Sequence, residues 1–182
     1  MNKATLALAL LLAGATAAAA SESLVVRGSG LRTKPILGAM YELTLAVPDS
    51  LKTADAQAII EADRPMEFAL EIQSRLISRE RFVEATSEGF EKAAQSGYAT
   101  TRKQAFLVQF AATEFKKGDV VLMRYADGAL ATTYRKADGG EARLGSIPGL
   151  DLKKALFAIW LGEVPVQESL KKSLLTSPQG VF

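Results

Sequence analysis

Arg32 and Tyr41 are the two residues of this chain whose types and spacing invite a chemical reading. Arg32 lies just past Gly28-Ser29-Gly30, which reads as a tight turn, and Tyr41 stands on the next apolar run. If the two flanking runs pair as strands, both side chains can reach one cleft. An arginine fork beside a phenolic hydroxyl suits a carboxylate: the guanidinium gives bidentate charge-assisted bonds and the phenol adds a neutral donor. The plainer alternative is a surface arginine in a turn and a core tyrosine whose hydroxyl reaches solvent. Spacing alone favours the plainer one.

Little else in the composition could do chemistry. The chain has no histidine and no cysteine. That removes the usual general base, the usual metal ligand and every serine or cysteine mechanism that needs imidazole. Glu80, Glu84, Glu88 and Glu91 recur at helical spacing and read as the wet face of a helix. No set of acids has the spacing of a calcium loop or a two-metal centre, so neither a metal nor another cofactor is expected. Gly28-Ser29-Gly30 lacks the third glycine of a dinucleotide fingerprint. Lysine and arginine total 22 against 20 acidic residues, too even a balance for a nucleic-acid footprint. The pairs Lys116-Lys117 and Lys171-Lys172 read as solvated faces.

The N-terminus reads as an export signal. Lys3 precedes an apolar run from Ala4 to Leu12, and small residues end in Ala18-Ala19-Ala20 before Ser21-Glu22. The run is shorter than the ~20 residues a membrane span needs, although an uncleaved anchor is the alternative. Residues 1–20 are therefore expected to be a signal peptide cleaved near Ala20. Residues 21–182 are then one domain in the periplasm or outside the cell, with no membrane-spanning segment and no disulfide support.

The elements that must position Arg32 and Tyr41 follow from periodicity. Leu24 to Val26 is a short strand; Ala39 to Val47 alternates through Tyr41, Leu43, Leu45 and Val47; Glu67 to Ile72 alternates through Phe68, Leu70 and Ile72. Thr53 caps a short helix to Ala62. Ser78 caps a longer one with Phe82, Thr86, Phe90 and Ala93 on one face, and Thr101 opens another with Phe106, Phe110 and Ala111 inward. Lys117-Gly118-Asp119 turns the chain into a strand from Val120 to Tyr125. Asp127-Gly128 is a hairpin turn into Ala129 to Tyr134, and a short strand follows near Arg143-Leu144. Asp151 caps a helix through Leu152, Ala155, Leu156, Ile159 and Trp160, ended by Gly162, and Val166 to Leu175 is a last amphipathic helix. Strands and helices come in blocks, which predicts α+β: an antiparallel sheet with helices layered on one face and room for a ligand between the layers.

Gly28-Ser29-Gly30-Leu31-Arg32, Met40-Tyr41, Lys117-Gly118-Asp119-Val120 and Ile159-Trp160-Leu161-Gly162-Glu163 resemble, in that order, the landmarks of the chalcone isomerase-like superfamily. The exported bacterial branch, with its terminal Trp-Leu-Gly helix, looks closest, and the resemblance runs from about Leu24 to Leu175. It implies an open-faced β-sandwich with a ligand cleft between the large sheet and its helices. The superfamily holds true chalcone isomerases, which close a flavanone ring, and fatty-acid-binding relatives without known catalysis. By resemblance, Arg32 matches the arginine that polarises the flavonoid in the enzymes and pairs with the carboxylate in the binders. Tyr41 stands where the enzymes have threonine and the binders tyrosine. Phe82 stands where the enzymes have a water-orienting tyrosine, Gly89 where they have asparagine, and Ile159 where they have threonine or serine. The groups that would stabilise a developing phenolate or enolate are thus absent.

Three functions follow as expectations. The first is a non-catalytic binder of a fatty acid or similar apolar carboxylate, with Arg32 and Tyr41 at the head group. Its tail cavity draws on Phe82, Phe90, Phe110, Ile159 and Trp160. The second is an isomerase or lyase using Arg32 as electrophile and Tyr41 as proton relay. The third is a structural or partner-binding envelope protein, marked by a cleft that Phe82 and Trp160 fill and by an Arg32 paired with an internal carboxylate.

Overall fold

The computed structural model describes residues 22–176, so the expected signal peptide lies outside the described residues. Six strands form one sheet in simple chain order: β1 (Leu24–Lys34), β2 (Gly38–Pro48), β3 (Met66–Ile72), β4 (Val120–Ala126), β5 (Ala129–Arg135) and β6 (Glu141–Pro148). Every neighbouring pair is antiparallel. The helices are α1 (Ala56–Glu61), α2 (Arg79–Gln95), α3 (Lys103–Val108), α4 (Leu150–Leu161) and α5 (Glu168–Leu175). This is the α+β architecture the blocks of strands and helices predict.

Alternation along the strands decides which face meets the helices. Leu43, Leu45 and Val47 on β2, Met66, Phe68, Leu70 and Ile72 on β3, and Val121, Met123 and Tyr125 on β4 are all buried. Glu42, Glu67, Glu71 and Arg124 fall on the opposite face, as the period of two requires. The β4–β5 hairpin turns at Asp127 and Gly128 with φ of 51° and 75°, the doubly positive turn that matches strand twist. Lys117-Gly118-Asp119 is likewise structural. Gly118 takes φ 89°, and its N–H bonds the Ile72 carbonyl at 2.7 Å. The Asp119 carboxylate accepts from the Tyr134 hydroxyl and from the N–H groups of Lys116 and Ala137. Burial opposes its ionisation, but those donors outweigh it and hold its pKa below the ordinary value.

Several local expectations are corrected. Gly28-Ser29-Gly30 is no turn but the middle of β1, for a reason given below. The cap of α1 is Asp55, whose carboxylate accepts from Ala58 N–H at 2.8 Å, and Thr53 lies outside the helix. Asp151 is not the cap of α4; Gly149 is, at φ 132°, while Asp151 bonds Thr100 and Arg102 at 2.6 Å each. Ala111 is exposed, because α3 ends at Val108 and the chain unwinds after it. β6 runs eight residues, and α5 starts at Glu168. Ser78 does cap α2, accepting from Arg81 N–H.

The largest departure is α4. Its expected amphipathic stripe is too narrow: every residue from Leu152 to Leu161 except Lys154 is buried, and the helix packs against α1, α2, α5 and β5. Lys153 is 0% exposed in the middle of this core. Its ammonium donates to the carbonyls of Ile59, Ile60 and Ala62 at 2.6, 2.8 and 2.8 Å, closing the C-terminal end of α1, where backbone oxygens lack helical partners. The Phe157 ring lies 4.9 Å away on another side. Burial pushes the Lys153 pKa down to about 7. Lys171 is not simply solvated either; it donates to Gly162 O at 2.7 Å at the end of α4.

Replacing Lys153→Met keeps the packing and strands three buried carbonyls, so the unfolding free energy should fall by about 1–3 kcal/mol at neutral pH. The folded pKa is below the unfolded one, so from about pH 7 to about 10 the unfolded chain holds a proton that the folded chain has released. Rising pH through that window should therefore stabilise the wild type relative to Lys153→Met, as read by denaturant unfolding at a series of pH values.

Candidate functional site

Arg32 and Tyr41 are direct cross-strand partners in the β1–β2 register, so their side chains share the inner face of the sheet. They open into a cavity of about 510 Å³ between β1–β3 and the helices α2 and α4. That volume lies within the range of about 300–1,000 Å³ usual for small-molecule sites. Its apolar wall includes Met40, Leu70, Phe82, Phe106, Ile159 and Trp160.

Tyr41 is oriented by a partner that sequence reasoning counted as plain wall. Trp160 Nε1–H donates to the Tyr41 hydroxyl oxygen at 2.9 Å, which leaves the phenolic proton to point elsewhere. Burial raises the Tyr41 pKa, and the Trp160 bond and the nearby Arg32 charge offset only part of that. The phenol is therefore a neutral donor at physiological pH.

Arg32 is half-buried and held from one side. Its Nη1 donates to Gln167 Oε1 at 2.9 Å and to Thr33 O at 2.8 Å. Gln167 also accepts from Thr33 N–H at 3.0 Å and donates to Leu31 O at 3.2 Å. β1 is an edge strand with an irregularity at Arg32/Thr33, and the glutamine satisfies its outward backbone groups. No carboxylate is paired with Arg32 among the described residues, and its Nε and Nη2 hydrogens make no bond there.

The two glycines before Arg32 explain how Gln167 comes so near. A Cβ on Gly28 would lie 2.4 Å from Ser173 O and 2.6 Å from Leu174 O; one on Gly30 would lie 2.7 Å from Ser173 Cβ. Both positions let α5 lie on the strand, a close backbone approach that the sequence alone does not distinguish from a turn.

Phe82, Ile159 and Trp160 line the cavity, whereas Phe90 and Phe110 are core residues behind it. Phe110 backs Phe82 at 4.8 Å between ring centres, and Phe106 takes the wall position instead. Gly89 on α2 meets Ile159 on α4: a Cβ at Gly89 would come 2.7 Å from Ile159 Cγ2. The Thr86 hydroxyl, also in the lining, commits its hydrogen to Phe82 O at 2.7 Å. The remaining charged groups of the lining are Lys34, Arg81, Glu84, Glu88 and Lys92, so the acids of α2 border the cavity as well as facing water. Among the described residues, no group of three or more histidine, cysteine, aspartate or glutamate side chains is placed to hold a metal ion.

An open antiparallel sheet under a helical layer, with an arginine–tyrosine pair at the seam, defines an open-faced β-sandwich with a ligand-sized cavity. The chain belongs to the chalcone isomerase-like family, whose pattern it matches over residues 12–176. Among solved structures it is similar to a fatty-acid binding protein of Arabidopsis thaliana, with 18% sequence identity and a TM-score of 0.63. The match covers 85% of this chain and 87% of that one, and it supports the fold. No curated protein matches the chain significantly in sequence.

Two substitutions test this geometry. Gly28→Ala should push α5 off β1 and cost about 1–3 kcal/mol of stability, the scale of an overpacked contact, measured by urea unfolding. Trp160→Phe removes the donor that favours the Tyr41 phenolate, so the Tyr41 pKa should rise further above the ordinary tyrosine value in a spectrophotometric titration.

Proposed function

We propose that this protein is a non-catalytic binder of a fatty acid or similar apolar carboxylate, working in the periplasm or outside the cell after removal of residues 1–20. The observation that carries the binding is the free side of the Arg32 guanidinium at the seam of an apolar cavity, beside the Tyr41 hydroxyl. A carboxylate there would accept a charge-assisted pair of bonds from Arg32 and a neutral one from Tyr41. An acyl chain would extend along Phe82, Phe106, Ile159 and Trp160. The name of the plant structural neighbour agrees with this reading. Export rests on the N-terminal pattern alone: a basic residue, an apolar run and small residues ahead of Ser21.

The structure also bears on the other two readings. An isomerase would need polar groups to hold a developing oxyanion, and the Phe82, Gly89 and Ile159 positions offer the cavity none. A purely structural protein would fill the cleft and neutralise Arg32 with an internal carboxylate. Here Phe82 and Trp160 line an open cavity, and Arg32 is met by a neutral amide.

The protein purified from a bacterial host should carry acyl species that native mass spectrometry detects and delipidation removes. Arg32→Ala should weaken rebinding of a long-chain fatty acid by about 1–3 kcal/mol, the scale of a lost charged hydrogen bond, read by displacement of a fluorescent fatty acid. An absence of acyl species together with no affinity for long-chain fatty acids would contradict the proposal. Turnover of a chalcone that Arg32→Ala abolishes would favour the enzyme instead.

A further inference from the structure

The turn joining β1 to β2 places an apolar residue where both sterics and solvation oppose it. Ile36 has φ 69°, and Leu37 N–H bonds Pro35 O at 2.8 Å across it, a three-residue turn of the strained left-handed kind. A β-branched residue is a poor choice for that backbone, which glycine or asparagine takes at little cost. Ile36 is also 105% exposed, so nothing in the fold repays the strain.

Its neighbours extend the feature. Leu37 is half exposed and lines the cavity, as does Leu76 on the β3–α2 loop. That loop is fastened to the start of β2: the N–H groups of Gln73 and Ser74 donate to Met40 O at 2.9 and 3.1 Å, and Arg81 Nη1 donates to Leu76 O at 3.0 Å. The hairpin tip and the loop therefore border the same mouth. The charges there lean one way. Arg32, Lys34, Arg81 and Lys92 line the cavity against Glu84 and Glu88, and exposed Arg75 stands beside Leu76. Lys34, Arg75 and Arg81 form no salt bridge among the described residues.

We propose that the Pro35–Leu37 tip and Leu76 dock this mouth onto the surface of an anionic lipid bilayer, so that an acyl ligand passes between membrane and cavity without crossing water. Apolar side chains on a projecting turn enter the headgroup boundary, and flanking lysine and arginine side chains meet anionic lipid. This rests on the acyl reading of the cavity, but docking and ligand binding are measured separately.

The test is co-sedimentation of the delipidated protein lacking residues 1–20 with vesicles of phosphatidylcholine, with and without phosphatidylglycerol. Solution affinity for a fluorescent fatty acid is measured alongside. The protein should bind the anionic vesicles. Ile36→Gly, which relieves the strained turn and removes the side chain, should lower that binding about tenfold or more while leaving thermal stability equal or higher. Arg75→Glu should weaken binding at low salt and lose its effect at high salt. Neither residue lines the cavity, so both variants should keep the wild-type affinity for the fatty acid in solution and lose rate in transfer from vesicles. Equal binding to both vesicle types, or wild-type binding by Ile36→Gly, would overturn the proposal. So would concentration-dependent dimerisation that Ile36→Gly abolishes without any vesicle binding, which would assign the patch to a second copy of the chain. Vesicle binding without fatty-acid affinity would uphold docking and remove the acyl reading alone.

Discussion

The β1–β2 register sets Arg32 directly across from Tyr41, and the cavity chemistry depends on that pairing. Side chains alternate faces along a strand, so a slip of one residue in β1 would turn Arg32 to the outer face and leave the seam without a cation. The register is not secured by the strand pair alone. Gly28 and Gly30 admit α5 to the surface of β1, and Gln167, just before that helix, fastens Leu31, Arg32 and Thr33 together. A polar clamp on an edge strand thus does two jobs: it satisfies backbone groups that would invite another strand, and it aims a guanidinium.

Apart from Tyr41 the wall from β2, β3 and α4 is apolar, while Arg32 and Lys34 of β1 and Arg81, Glu84, Glu88 and Lys92 of α2 supply the charges. Trp160 serves as a donor to Tyr41 and as apolar wall at once, its ring tilted against Phe68 with 5.0 Å between ring centres. Gly89 and Ile159 meet across α2 and α4 and bring no hydrogen-bonding side chain to the wall. An arginine–tyrosine pair set against that apolar wall suits a single anionic head on an apolar body.

Much of this was legible from local pattern. The alternation of β2 and β3, the Asp127-Gly128 hairpin and the Ser78 cap are decided within a few residues, and they stand where the pattern puts them. What the pattern missed is decided by distant partners. Gly28 and Gly30 look like turn residues until α5, more than 130 residues on, is seen to lie against them. The helix pattern of α4 gives no role to Lys153, whose ammonium is held by the carbonyls at the end of α1. Phe106 and Phe110 both point inward from adjacent turns, and only the packing of Phe82 decides which one reaches the cavity. Asp55 and Asp151 are acids near helix starts, yet the flanking backbone makes only the first a cap.

Arg32 is proposed to hold an ionised carboxylate in the cavity. Carbon-13 NMR of the protein loaded with carboxyl-labelled palmitate, titrated with acid, tests it most directly. With Arg32 as its partner, the bound carboxyl should stay ionised at pH values below its pKa in a lipid bilayer and lose that protection in Arg32→Ala. A bound carboxyl that titrates identically with and without Arg32, or that shows no bound resonance, would contradict it.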